Sequence, residues 1–259
     1  FDIDQLSFLM ASLREKKLEE EIILIKKAVQ ISAQGQIEVM KAIHPEMTER
    51  EVQGIHQLVY KKYGAAHEGY PSIVGAGDNA CVLHYITNDK TDLKNQLILM
   101  DLGAEYNGYT ADVTRTIPVS GKFTNRQKDV YNAVLRVMKK AEELLVVGKT
   151  LTQYHQEVGE RMSDQLVGLG LISEEEVKNQ DPKWPAYKKY FMHGTSHHIG
   201  LDVHDVGDRL APIQAGMVFT IEPGIYIPEE DMGIRIENDC LVTDNGLVDL
   251  MKNIPITVE

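Results

Sequence analysis

Asp101, Asp112, His197, Glu222 and Glu237 each lie on or beside an apolar run of strand character in this 259-residue chain. An unpaired carboxylate is costly to bury, so four carboxylates and one imidazole in such places call for compensating cations. Two divalent metal ions would supply them. The run Leu97-Ile98-Leu99-Met100-Asp101 reads as a buried strand, Tyr106-Asn107-Gly108 as a turn, and Tyr109 to Ile117 as the returning strand of a tight hairpin. With the turn near Asn107, Asp101 faces Asp112 or Thr114, and the period of two puts all three on one face. Two like charges about 4 Å apart repel by roughly 4 kcal/mol at an effective dielectric constant near 20, so one is protonated or a cation lies between them. Taken alone, the hairpin also fits a plainer reading, with both aspartates at turn-flanking or surface positions.

The segment from Met192 to Asp205 holds His193, His197, His198 and His204, four of the nine histidines of the chain. They are interleaved with glycines rather than spaced along a helical face, which suits a loop that presents imidazoles to a cleft. Histidine is the commonest metal ligand and the usual proton carrier near neutral pH. Met217 to Ile221 is a strand that ends in Glu222 before a Pro223-Gly224 turn. In Gly233-Ile234-Arg235-Ile236-Glu237, alternation puts Arg235 and Glu237 on one face. On its own that pair would be an ordinary surface couple.

Five segments in this order and spacing resemble the pita-bread metallopeptidases, and within them the proline-specific group of aminopeptidase P and prolidase. They are Asp-Leu-Gly from Asp101, Tyr109-Thr-Ala-Asp-Val-Thr-Arg, His193-Gly-Thr-Ser-His-His-Ile-Gly-Leu-Asp-Val-His-Asp, Thr220-Ile-Glu-Pro-Gly-Ile-Tyr and Gly233-Ile-Arg-Ile-Glu-Asn. The resemblance runs from about residue 15 to the end. It implies an α+β fold, the pita-bread (creatinase/aminopeptidase) fold, with two pseudo-symmetric αα-plus-β halves around a curved antiparallel sheet. It puts the metal ligands on Asp101, Asp112, His197, Glu222 and Glu237, with Asp112 and Glu237 bridging two ions, manganese first and cobalt, zinc or iron as alternatives. The implied reaction is hydrolysis of the Xaa-Pro bond at peptide N-termini by a hydroxide that bridges the metals. In it, His204 and His193 donate to the oxyanion, Glu222 shuttles the proton, and His84 steadies the leaving group. Arg235, Tyr226 and Asp101 resemble an orienting network, with His193, His204 and Tyr226 as walls of the proline pocket. The His193 motif is closer to the aminopeptidase P form, and prolidase, an Xaa-Pro dipeptidase, is the near alternative. Creatinases share the fold without the metal, so a metal-free binding scaffold is the alternative from another class. The full ligand set argues against it. Members of this group usually carry an N-terminal domain, so residues 1–14 are expected to be the remnant of a connection to one, residues 15–259 the catalytic domain, and the assembly a homodimer when that domain is present.

Composition agrees with one catalytic domain. A net charge of −12 disfavours nucleic acid and anionic membrane as partners. No apolar run approaches the roughly 20 residues needed to span a bilayer. Cys81 and Cys240, each in an apolar strand-like run without CxxC spacing, are expected to be buried free thiols in a reducing, cytoplasmic setting.

The positioning elements follow from periodicity and caps. Apolar spacing predicts one long helix from Arg14 to Ile43. Thr48-Glu49-Arg50-Glu51 reads as a capping box that opens a helix ending near Gly64, and Thr124 opens another through about Val147. Thr150 opens a further one to about Gly168. Each helix pair precedes strand-rich sequence, and aligning Ile43–Thr48 with Val147–Thr152 suggests a repeat whose halves enclose the metals. Glu19-Glu20-Glu21 and Glu174-Glu175-Glu176 read as solvated helix starts. Gly75-Ala76-Gly77 lacks a following helix and reads as a turn rather than a nucleotide loop. Lys178 to Tyr190 reads as a surface connection bordering the cleft, and His84 as part of a strand Cys81–Tyr85.

Overall fold

The computed structural model describes residues 3–258. Among the described residues, six α-helices precede or interleave eleven short strands: α1 Ile3–Arg14, α2 Glu19–Ala42, α3 Glu49–Lys62, α4 Asn125–Leu144, α5 Leu151–Gly168 and α6 Glu174–Lys178. The capping boxes start their helices as expected. The Thr48 hydroxyl accepts from the Glu51 N–H at 3.1 Å while the Glu51 carboxylate accepts from the Thr48 N–H at 2.7 Å, and Thr124 and Thr150 repeat this with Gln127 and Gln153. Each exchange satisfies two of the N–H groups a helix start leaves unpaired. Thr48 and Thr150 therefore occupy corresponding places, so the repeat aligns Thr48 with Thr150 rather than with Thr152.

The long first helix is two helices. Residues 15–18 are not helical, because Lys16 forms an antiparallel bridge with Met217 and the Lys17 N–H donates to the Gly216 carbonyl at 2.8 Å. Tertiary pairing takes the backbone groups that a continuous helix would need. The Glu19-Glu20-Glu21 and Glu174-Glu175-Glu176 clusters do lie in first turns, where the helix dipole favours them. Among the described residues, no helix is long and apolar enough to cross a membrane.

In the first half, β2 (Ile73–Ala76), β3 (Leu97–Asp101) and β6 (Thr114–Pro118) form an antiparallel sheet with β3 central. The helix α2 lies against it, with Gln36 Nε2 donating to the Met100 carbonyl at 3.2 Å. In the second half, β7 (Val218–Ile221) and β11 (Gly246–Asp249) flank β10 (Asn238–Thr243), while β8 (Gly224–Ile227) pairs with β9 (Met232–Arg235). The cluster of Val134, Met138, Tyr154, Phe191 and Phe219 packs α4 and α5 on that half. The halves join at β6 and β9: the Glu237 N–H donates to the Thr114 carbonyl at 3.1 Å, and the Thr116 hydroxyl donates to the Arg235 carbonyl at 3.0 Å.

The expected hairpin exists with Asp101 opposite Thr114, but its returning strand is broken. Beyond Asp101 the chain passes into a second small sheet of β1 (His67–Glu68), β4 (Ala104–Tyr106) and β5 (Tyr109–Thr110), leaving Asp112 between two strands. Asn107 and Gly108 both take positive φ, 51° and 90°, which suits a two-residue hairpin turn. The Cys81–Tyr85 strand is absent. Gly77–Cys81 is a 3-10 turn closed by the Val82 N–H donating to the Asn79 carbonyl at 3.1 Å, and residues 82–85 follow it outside any strand. Cys81 is consequently half-buried, Cys240 is buried in β10, and both are free thiols. Tyr187 and Tyr190 of the 178–190 connection are buried, and the Tyr190 carbonyl accepts from the Tyr226 N–H at 2.9 Å. That connection supports the core and does not line the cavity described next.

Candidate metal centre

All five expected ligand residues line one cavity of about 260 Å³, together with His84, His193, His204 and Arg235. Ligand-capable atoms of Asp112, His197 and Glu237 all lie within 4.8 Å of one another. Asp101 ends β3, Glu222 directly follows β7, and Glu237 sits between β9 and β10, so strand ends from both halves converge on it.

The site gathers four carboxylates around the His197 imidazole and the Arg235 guanidinium. The Tyr70 oxygen lies 2.6 Å from Oδ1 of both Asp101 and Asp112, yet its one proton serves a single acceptor. The second contact calls for a proton on a carboxyl. Burial and the Asp112 charge push Asp101 up to about 6. Burial raises Glu222 to about 7 and holds Glu237 well above the usual carboxylate range. Burial works against ionised Asp112 as well, but its hydrogen bond and charge pairing with His197 outweigh it and lower its pKa. His197 mirrors this: burial opposes its charge, while Asp112 and Glu222 push it up to about 9. Carboxylates forced together hold protons more tightly, and Arg235 offsets part of their charge.

Second contacts orient the expected ligands. His197 Nδ1 donates to the His198 carbonyl at 3.0 Å, which turns Nε2 toward Asp112 and Glu222, each 3.5 Å away. This backbone partner fixes the tautomer as ligand histidines need. The Asp112 N–H donates to buried Asp239 at 3.0 Å, and the Thr114 hydroxyl donates to Glu237 at 2.5 Å. Arg235 donates to Asp101 at 2.6 Å and to the Tyr226 oxygen at 2.8 Å. Tyr226 in turn contacts His193 Nε2 at 2.8 Å, while His193 Nδ1 donates to the Gly194 carbonyl at 2.8 Å. The Asp101–Arg235–Tyr226 network expected from the sequence is therefore present, and it extends to His193. Both His193 nitrogens are engaged, so its ring has no donor left for an oxyanion. Tyr226 is fully buried behind His193 and does not wall the cavity. Burial, then Arg235, depress His193 to about 3.

His84 and His204 complete the wall, their ring centroids 6.4 Å apart, and His204 packs edge-on against His197 at 4.4 Å. Tyr85 holds the His84 turn by donating to buried Glu49 at 2.9 Å. A second, more apolar cavity of about 330 Å³ adjoins Asp101, Asp112, His84 and His204, lined by Tyr70, Pro71, Ile73, Ile86 and Val203. Tyr70, Asp239 and the cavity-lining Arg209 escaped the sequence reading. Asp239, at alternate spacing beyond Glu237, carried a usable signal, whereas nothing local marks Tyr70 or Arg209.

Hard oxygen donors with one imidazole form a donor set that suits a divalent transition metal. The model of metallopeptidase family M24 matches residues 23–244. The chain belongs to metallopeptidase family M24. Relatives within M24 include the Xaa-Pro aminopeptidases of Haemophilus influenzae, 38% identical over 92% of this chain and 58% of the relative, and of Escherichia coli, 38% identical over 89% and 54%. Zinc-substituted aminopeptidase P of Escherichia coli in complex with product superposes with a TM-score of 0.89 at 36% identity, covering 95% of this chain and 58% of that one. Proline aminopeptidase P II of Yersinia pestis gives 0.89 at 37%, covering 96% and 59%. The fold is thus the pita-bread arrangement expected from the sequence. The chain spans a little over half the length of these relatives.

Proposed function

We propose that this chain is the catalytic unit of a metal-dependent aminopeptidase that releases the residue preceding proline from peptide N-termini. The observation that carries this reading is the convergence of Asp101, Asp112, His197, Glu222 and Glu237 on one cavity. The names of the M24 relatives support the substrate class. In this reading the five residues would hold two divalent ions, manganese first, with Asp112 and Glu237 available to both. Bound there, the ions polarise a peptide carbonyl and acidify a water.

The remaining steps fall to the chain itself. The adjoining apolar cavity gives the first side chain a place beside Asp101 and Asp112. His204 donates to the oxygen that becomes negative. Glu222 carries the proton from the attacking water to the departing nitrogen, and His84 steadies the leaving proline. Arg235 fixes Asp101, while His193 fixes Tyr226 and through it the arginine. An Xaa-Pro bond has no N–H and a locked ring, so the site must accept it by shape and carbonyl contacts alone.

Hydrolysis of Xaa-Pro-Xaa, Xaa-Pro and Xaa-Ala-Xaa peptides by chelated protein with manganese added back tests the reading. Metal-dependent release of the first residue from the proline tripeptide supports it. Cleavage of the dipeptide alone would make the chain a dipeptidase, and equal cleavage of the alanine control would refute proline selectivity.

A further inference from the structure

Residues Arg14 to Lys17, outside the cavity, fasten the loop that carries His204. The Lys17 ammonium lies 3.0 Å from Asp205, and both side chains are only 1% exposed. The same ammonium donates to the Arg14 carbonyl at 2.6 Å. Arg14 itself reaches Asp205 at 2.5 Å and Asp202 at 2.8 Å, and the Glu15 carboxylate accepts from the Asp208 N–H at 3.2 Å. A buried ion pair adds little net stability over packed apolar residues, because desolvation offsets most of the attraction. What it does well is hold two segments in one register.

The register matters at the cavity. Asp205 directly follows His204, and its N–H donates to the His198 carbonyl at 2.9 Å. That same oxygen accepts from His197 Nδ1 at 3.0 Å. One carbonyl therefore ties the clamped loop to the imidazole proposed as a metal ligand. The packing leaves no spare room, since a Cβ at Gly200 would overlap Asp205 and Lys17, and one at Gly207 would overlap the His198 ring.

We infer that Lys17 is a positioning residue for His204: its ion pair with Asp205 sets the His204 imidazole over the cavity, coupling the α1–α2 junction to the reacting centre. The inference rests on the proposed peptidase reading. A displacement of this loop by an ångström is enough to cost rate without emptying the site. The test is a cycle of Lys17→Met and His204→Ala in the intact protein, reading kcat, KM, metal content and melting temperature. Lys17→Met should lower kcat by about tenfold or more with KM within about twofold and metal content unchanged. In the His204→Ala protein the same substitution should change kcat by less than about twofold. Equal losses in both backgrounds, or an unchanged kcat in the first, overturn the inference while leaving the peptidase reading intact. A parent without Xaa-Pro cleavage refutes the peptidase reading and the inference with it, whereas a His204→Ala protein as fast as an active parent overturns the inference alone. Should Lys17→Met not fold, Arg14→Gln strikes the same carboxylate from its more exposed side and is read in the same cycle.

Discussion

Manganese binding to the chelated protein should tighten by at least about three orders of magnitude between pH 5 and pH 8, because the ions must displace protons from the site. Burial and the Asp112 charge hold Asp101 at about 6, and burial holds Glu222 at about 7. At 1.36 kcal/mol per pH unit, freeing them at pH 5 costs roughly 1 and 3 kcal/mol, and at pH 8 almost nothing. The sum, about 4 kcal/mol, is about a thousandfold in affinity. His197, pushed up to about 9 by its carboxylate neighbours against the effect of burial, must also shed a proton and adds in the same direction. The sign is consistent with folding linkage. Carboxylates whose folded pKa is raised stabilise the metal-free fold fully only below their unfolded values, near 4, and that contribution is lost as pH rises through 6 to 7. Metal binding should therefore widen its melting-temperature advantage as pH increases. Titration calorimetry at each pH, in two buffers of different ionisation enthalpy, reads both the affinity and the protons released. An affinity that is flat or falls from pH 5 to pH 8, with no proton release, would refute coordination by these groups.

Glu237→Ala or Asp112→Ala should abolish turnover and lower the metal content, and full activity in Glu237→Ala would sink a two-ion site. His84→Ala should instead keep its metal while kcat falls by about a hundredfold, the scale of a lost proton-transfer or leaving-group contact. Arg235→Ala leaves Asp101 buried without its cation and should cost about 3 kcal/mol in urea unfolding of the chelated protein. Arg235→Lys should preserve more stability than rate, since an ammonium cannot span Asp101, Tyr226 and Thr114 together. Gly103→Ala should lower the melting temperature and weaken metal binding, because the new Cβ would overlap the Ala111 carbonyl between the two aspartate-bearing arms. Overpacking of this kind costs about 1–3 kcal/mol, visible by calorimetry.

Much of the architecture was legible because its signals are local. Capping boxes at Thr48, Thr124 and Thr150 mark helix starts through contacts three residues apart. A continuous apolar run carried the strand reading of Leu97–Asp101, and alternation the shared face of Arg235 and Glu237. What failed was decided by distant partners. The break at residues 15–18 depends on Gly216 and Met217. The start of a helix is written in its own turn, whereas an interruption is imposed by a segment about two hundred positions away in the chain.

The sequence by itself marked the side chains that meet at the cavity, because hard carboxylates and clustered imidazoles beside apolar strands have few other uses. It also determined that two similar helix-and-sheet halves would frame them. Only the tertiary structure decided how the residues share their protons and hydrogen bonds. Tyr70 stands between Asp101 and Asp112, His193 spends both nitrogens on Gly194 and Tyr226, and Lys17 reaches Asp205 from across the chain. Residue type sets what a group can donate or accept. Which partner takes that capacity is a matter of distance and burial, and these arise only when the halves close.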